Sequence, residues 1–418
     1  MAQLSDDCFA HGGQLMRLDE ALALLEARIQ TVTEVEPVAL ADTLGRVLRQ
    51  DVISAVSVPA ADNSAVDGYA VHFADLAPQA ETRLLVTGRA AAGHPLGRAA
   101  KPGEAIRIFT GALMPEGPDT VMMQEDCRLE GETVVIQPGI KQGSNRRLAG
   151  EDIAAGDTVL RSGQRLRPQD VGLAAAAGLT EVAVSRPLRV ALFSTGDELQ
   201  EPGQPPRPGC IYDSNRYTVG ALLRGLGCRV SDLGILPDQR ERVTAALGAA
   251  AESHDLLITS GGVSTGEEDH VKAAVETQGK LHAWKLAIKP GRPIALGQIA
   301  STAFVGLPGN PVASMVTFLA VVRPMILRLM GGQVEPPHRF AVPADFDHKK
   351  KKDRREWVRA RLSLGSDGRL VARKFPREGA GILSSLVEAD GLVELPEDLT
   401  RLEPGAIVEF LPFSEVTP

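Results

Sequence analysis

Three stretches of the chain combine bare backbone with acids or cations at spacings that suit an anionic ligand. In ITSGGVSTGEEDH, Ile258 to His270, an apolar strand runs into Gly261, Gly262 and Gly266 with Ser264 among them, then into Glu267, Glu268 and Asp269. Glycines permit positive φ and close backbone approach, so successive N–H groups here can form an anion-binding nest beside the Ser264 hydroxyl. A plain tight turn needs one glycine rather than three. The three acids also open the next helix, whose dipole favours each by about 0.3–1 kcal/mol, and capping alone accounts for one or two of them.

In STGDELQEPG, Gly196 lets the chain turn while Asp197 and Glu198 project at a strand end; Asp197 serves equally well as a local backbone cap. WKLAIKPGRP brings Lys285, Lys289 and Arg292 close together, with Pro290 and Gly291 bending the chain between them. The flanks are apolar, and a charge near a core must find a partner, so an oxyanion is favoured over simple solvation. GLPGNPVASM, which includes Pro308, sets Asn310 at a helix N-cap and Pro311 at the first helical position, a start that suits phosphate or is purely structural. PAADNSAVDGYAV and IFTGALMPEG hold Asp67 and Thr110; Asp67-Gly68 is a hairpin signal, and taken singly both motifs read as structural. HKKKKDRREW, His348 to Trp357, reads as a solvated loop whose arginines could serve a nearby anion.

Such loops need strands that end beneath them. Over 186–332 strand and helix patterns alternate (RVALFST, NRYTVGALLRGLG, CRVSDLGIL, RERVTAALGAAAES, DLLITSG), predicting a parallel sheet with helices on both faces. Ligands of such sheets bind beyond the carboxyl ends of the strands. Residues 52–149 change to short Val- and Ile-rich runs broken by Gly and Pro, a mostly β module. Residues 1–51 carry an amphipathic helix with Leu18, Leu22, Leu25 and Ile29 at helical spacing. Residues 150–185 hold a strand pair and an Ala-rich helix after Pro168, and are expected to return and pack on that first helix as one discontinuous helical/β linker domain. Residues 333–418 read as a small C-terminal β-barrel. The expected fold class is therefore multidomain α/β plus β.

A chain of 418 residues exceeds what one core usually supports, so two to four domains are expected and a site can lie between them. Aromatic residues are 4%, and 45 Lys and Arg stand against 53 Asp and Glu, so neither stacking surface nor overall field suits nucleic acid. Cys8, Cys127, Cys210 and Cys228 form no CxxC, which argues against a zinc site or disulfide scaffold. MAQLSDDCFAHGG lacks the pattern of a signal peptide, and no apolar window of about 20 residues stands out, so a soluble cytoplasmic protein without a membrane partner is expected. No GxxxxGK[ST], HExxH or GxSxG occurs, and no GxGxxG follows the first strand of the α/β region.

Taken together and in order, DNSAVDGYAV, IFTGALMP, SNRRLAGEDI, ALFSTGDEL, IYDSNR, ITSGGVSTGEEDH, WKLAIKPGRP and GLPGNPVAS resemble the molybdopterin molybdenumtransferase family, the bacterial MoeA proteins and the gephyrin E domain, over nearly the whole chain. The resemblance implies a homodimer of four-domain protomers, each with a molybdopterin-binding α/β domain and a C-terminal β-barrel. It implies the last step of molybdenum-cofactor synthesis: molybdate enters adenylylated molybdopterin, Mg²⁺ assists, and AMP leaves. A molybdopterin adenylyltransferase would act before it, and downstream molybdoenzyme maturation proteins after it. Glu198, Asp238 and Asp269 are implied as Mg²⁺ ligands, and Gly261, Gly262, Ser264, Gly266, Pro308 and Asn310 as ligand-binding loops. Lys289 and Arg292 are implied as cations for molybdate, with Lys285 near the phosphates. Arg354, Arg359 and Ser384 or Ser385, here taken as Ser385, would complete the oxyanion pocket, while Asp67 and Thr110 would arrive across the dimer interface.

Two positions depart from the family pattern. Arg292 stands where a lysine is usual, keeping the charge but presenting a planar fork, and Gln239 follows Asp238 where relatives often carry a second acid. Two other functions fit parts of the pattern. Enzymes that adenylylate molybdopterin with ATP share the α/β domain but typically have a GGTG-like loop and lack both β modules. A carrier that binds molybdopterin without turnover would not need acids and cations at every matched motif.

Overall fold

The computed structural model of the chain describes residues 15–261, 270–365 and 367–417. Among these, seven strands form the central sheet in the order Leu15–Met16, Gly279–Leu286, Pro293–Ile299, Thr302–Leu307, Leu256–Ser260, Arg189–Thr195, Arg229–Leu236. Only Pro293–Ile299 runs against the others. The sheet is thus mixed where an all-parallel one was expected. Ala300 and Ser301 alone separate the reversed strand from Thr302–Leu307, a span that closes a hairpin but cannot make a crossover.

Leu256–Ser260 and Thr302–Leu307 are buried at every residue because helices cover both faces of the sheet. Asn215–Gly225 and the helical stretch 311–329 pack on one face, Arg240–Ala251 and His270–Gln278 on the other. Pro311–Leu329, 19 residues with mean hydropathy 1.7, is long and apolar enough to cross a membrane by length and composition, which the sequence reading did not expect; 72% of its apolar window is buried inside the fold. Its wide π turn at Phe318–Val322 lies just before Pro324, which has no N–H to give and whose ring crowds the carbonyl four residues back.

Val35–Ala39 pairs with Glu181–Ser185, and Val52–Ile53 with Thr158–Leu160, so distant segments share a core around Leu48, Leu166 and Val184. The helix Leu18–Arg28 was expected to pack there and does not. Its Leu18, Ala21 and Leu25 join Leu319 and Met325 in the main core, and Leu15–Met16 extends the central sheet. The long apolar helix offers those leucines more surface to bury than the small linker sheet does. Residues 68–136 contribute a six-stranded sheet with a separate apolar cluster on each face. The C-terminal sheet curls around Val358, Val393 and Phe410 until Ala344 bridges Ala372. It meets the rest of the chain where Ile288–Lys289 pairs in parallel with Arg355–Glu356, and where Arg355 reaches Asp19 at 3.0 Å.

Candidate functional site

A cleft of about 980 Å³ opens at the carboxyl ends of the Arg189–Thr195, Leu256–Ser260 and Thr302–Leu307 strands, beneath the C-terminal domain. Glu198, Asp238, Gly261, Pro308 and Asn310 line it from the α/β side. The Glu198 carboxylate folds back over Gly196 so closely that a Cβ there would lie 2.4 Å from Oε2. Only glycine fits. Thr195 Oγ1 donates to Asp238 Oδ1 at 3.4 Å, placing the second acid beside the same strand end. Asn215, from the IYDSNR motif, donates to Ser260 Oγ at 2.8 Å and to Gly309 O at 2.6 Å, tying the neighbouring loops together. Asn310 sits at the N-cap position as expected, but its side chain makes no capping bond.

The other wall comes from the bend at Lys289 and from the C-terminal domain. Lys289 Nζ donates to Glu356 Oε1 at 2.6 Å, and His348 Nε2 lies 2.9 Å from the same oxygen. His348 Nδ1 is 3.1 Å from Lys374 Nζ, and Lys374 in turn pairs with Glu378. All five side chains line the cleft. Burial would push the Glu356 carboxyl up, yet hydrogen bonds from His348 and Lys289 prevail and hold it at about 2. Arg359, also lining the cleft, donates from Nε to Ser385 Oγ at 3.0 Å and from Nη2 to Gly379 O at 3.1 Å, which fixes its plane.

The remaining expected residues lie elsewhere. Ser385 is buried behind Arg359, and Arg354 stands 3.6 Å from Glu356 Oε2 without lining the cleft. Arg292 is exposed between Gly291 and Pro293, both of which line it; Lys285 is exposed on the Gly279–Leu286 strand and does not. Asp67 and Thr110 meet each other, the Thr110 N–H and Oγ1 both donating to Asp67 Oδ1 at 2.8 Å, and neither lines this cleft. Those two bonds hold the Asp67 carboxyl below its usual range. Gly262, Ser264, Gly266 and Asp269 lie outside the described residues.

Sequence reasoning missed His348 and Glu356 because HKKKKDRREW looks like a charge run. The available signal was alternation: Glu356 shares a strand face with Val358 and Ala360, both core residues, so its charge had to be buried and paired.

Among the described residues no three His, Cys, Asp or Glu side chains converge as a metal cage. Glu198 and Asp238 on one cleft nevertheless fit Mg²⁺, which takes one or two carboxylates and fills its octahedron with water and phosphate oxygens.

An interdomain cleft with acids at strand ends facing fixed cations defines a multidomain α/β plus β protein suited to a phosphorylated or oxyanionic ligand. Family profiles described as "MoeA N-terminal region (domain I and II)", "Probable molybdopterin binding domain" and "MoeA C-terminal region (domain IV)" match residues 16–178, 191–328 and 341–413. The molybdopterin molybdenumtransferase of Haemophilus influenzae is 39% identical over 405 residues, spanning 96% of this chain and 100% of that one. Molybdopterin molybdenumtransferase 2 of Mycobacterium tuberculosis is 38% identical over 379 residues, spanning 88% and 92%. The crystal structure of the molybdopterin biosynthesis MoeA protein from Pyrococcus horikoshii OT3 matches with a TM-score of 0.81 at 28% identity, over 96% of this chain and 100% of that one. The chain belongs to the MoeA family of molybdopterin molybdenumtransferases and, as a transferase, serves molybdenum cofactor biosynthesis.

Proposed function

We infer that the chain inserts molybdate into adenylylated molybdopterin and releases AMP. The observation that carries this reading is the single cleft in which Glu198 and Asp238 stand with Lys289 and Arg359. Carboxylates alone would repel a dianion, and cations alone would not hold a divalent metal. An Mg²⁺ ion held by Glu198 and Asp238 would neutralise pyrophosphate oxygens and polarise the phosphorus for attack. Gly261, with φ of 90°, lets the backbone come close to phosphate, and Pro308 and Asn310 border the same space. Lys289 and Arg359 bind the oxyanion and orient it, Arg359 through a fork already held by Ser385.

Thr110 is exposed, Asp67 half-buried beside it, and both lie outside this chain's own cleft, which supports their reaching a second protomer's cleft in a homodimer. A molybdopterin adenylyltransferase would supply the substrate, and maturation proteins of molybdoenzymes would take the product.

The test is AMP release from adenylylated molybdopterin in the presence of Mg²⁺, with and without molybdate. Release that depends on molybdate is expected. Tight binding without release points to a carrier, and ATP-dependent adenylylation of free molybdopterin moves the protein one step earlier.

A further inference from the structure

Glu356 is among the most buried charged residues described, at 2% exposure, and it occupies the wall that holds Lys289. A buried ion pair is no more stabilising than an apolar pair of the same volume, so its presence calls for a reason other than stability. Its geometry supplies one. Oε1 accepts from both Lys289 and His348, while Oε2 has no hydrogen-bond partner among the described residues. An ionised carboxylate only accepts, so His348 donates from Nε2 to Glu356, while its Nδ1 faces Lys374 Nζ at 3.1 Å and Glu378 Oε1 at 3.7 Å. In this arrangement Lys289 pairs with Glu356 and Lys374 with Glu378, while Arg354 stands 3.6 Å from Glu356 Oε2. Lys289 is 42% exposed at its side chain and keeps two further N–H donors beyond the one given to Glu356.

We propose that Glu356, braced by His348, is a positioning residue that holds the Lys289 ammonium in place for a tetrahedral oxyanion entering the cleft. This rests on the molybdate reading above. The four side chains that brace Lys289 come from three strands and a loop of the C-terminal domain, so docking of that domain also sets the position of the cation.

The sign of one substitution decides the matter. On charge alone, Glu356→Gln removes a negative group beside a dianion and should tighten binding. Positioning predicts the reverse: molybdate affinity, measured by calorimetry without turnover, falls roughly tenfold or more, the size of one lost charged hydrogen bond. The KM for molybdate rises with it, while the KM for adenylylated molybdopterin stays put. His348→Gln, which keeps an N–H donor within reach, should retain most of the affinity that His348→Leu loses. In a Lys289→Ala background, Glu356→Gln should add nothing further. Tighter or unchanged binding in Glu356→Gln, or equal loss for both substrates, overturns the proposal. Molybdate binding without AMP release in the unmutated chain would sink the transferase reading and leave this one standing, and no oxyanion binding at all would sink both.

Discussion

On the α/β wall of the cleft, Glu198 follows Gly196 by two residues and each acid lies just past the end of its own strand. On the facing wall, Lys289 and Glu356 are 67 residues apart, and His348 and Lys374 come from two further strands. One wall is assembled within the α/β domain, at the ends of paired strands, and the other only by docking a second domain. Damage to the first should therefore act on chemistry with folding intact, whereas damage to the second should couple ligand affinity to domain placement.

The largest effect on activity is expected on the α/β wall. Asp238→Asn should lower AMP release by at least the roughly 10–100-fold that loss of even an outer partner of a metal site costs, with adenylylated molybdopterin still bound. Rate and binding measured on the same preparation check this, and unchanged turnover would remove Asp238 from the metal site.

Next comes the frame beneath that wall. Arg216, 4% exposed at its side chain, bonds Asp213 at 3.0 Å and Asp232 at 2.6 Å and also pairs with Glu201. Arg216→Leu strands the buried Asp213 and should destabilise the chain by about 3–5 kcal/mol in denaturant unfolding. A loss under 1 kcal/mol would show that the cluster is not a structural anchor.

A pH experiment sharpens the comparison. Glu356 falls from an ordinary 4.5 to about 2 because hydrogen bonds from His348 and Lys289 outweigh its burial. Asp255 falls from 3.8 to about 2, its burial likewise outweighed by Arg186 and Arg189. Both folded values lie below the unfolded ones, so each group stabilises above its unfolded pKa, and that stability is lost as pH falls toward 2. Melting temperature followed from pH 5 to 2 should fall less steeply in Glu356→Gln and in Asp255→Asn. Only the first should also alter molybdate affinity, because Asp255 does not line the cleft.

The smallest effect on folding belongs to the β module. Asp67 is half-buried and its Oδ1 accepts from Thr110, an acceptor that asparagine keeps, so Asp67→Asn should leave the melting temperature nearly unchanged while lowering turnover by less than Asp238→Asn does. Mixing Asp67→Asn with Asp238→Asn protomers should restore part of the activity, and failure to do so would end the shared-site reading.

The turn at Gly196, the alternation of strand and helix, and the β character of both flanking modules were legible in the sequence because each is a local pattern: φ freedom at glycine and the repeat of apolar residues. Local pattern could not reverse Pro293–Ile299 until the two-residue turn at Ala300 and Ser301 was seen to close a hairpin, nor send the helix Leu18–Arg28 to the main core. It could not foresee Glu356 either. Whether a carboxylate in a charge-rich stretch is solvated or locked between Lys289 and His348 depends on which strands are brought together, and that was settled by packing of the C-terminal domain against the α/β sheet.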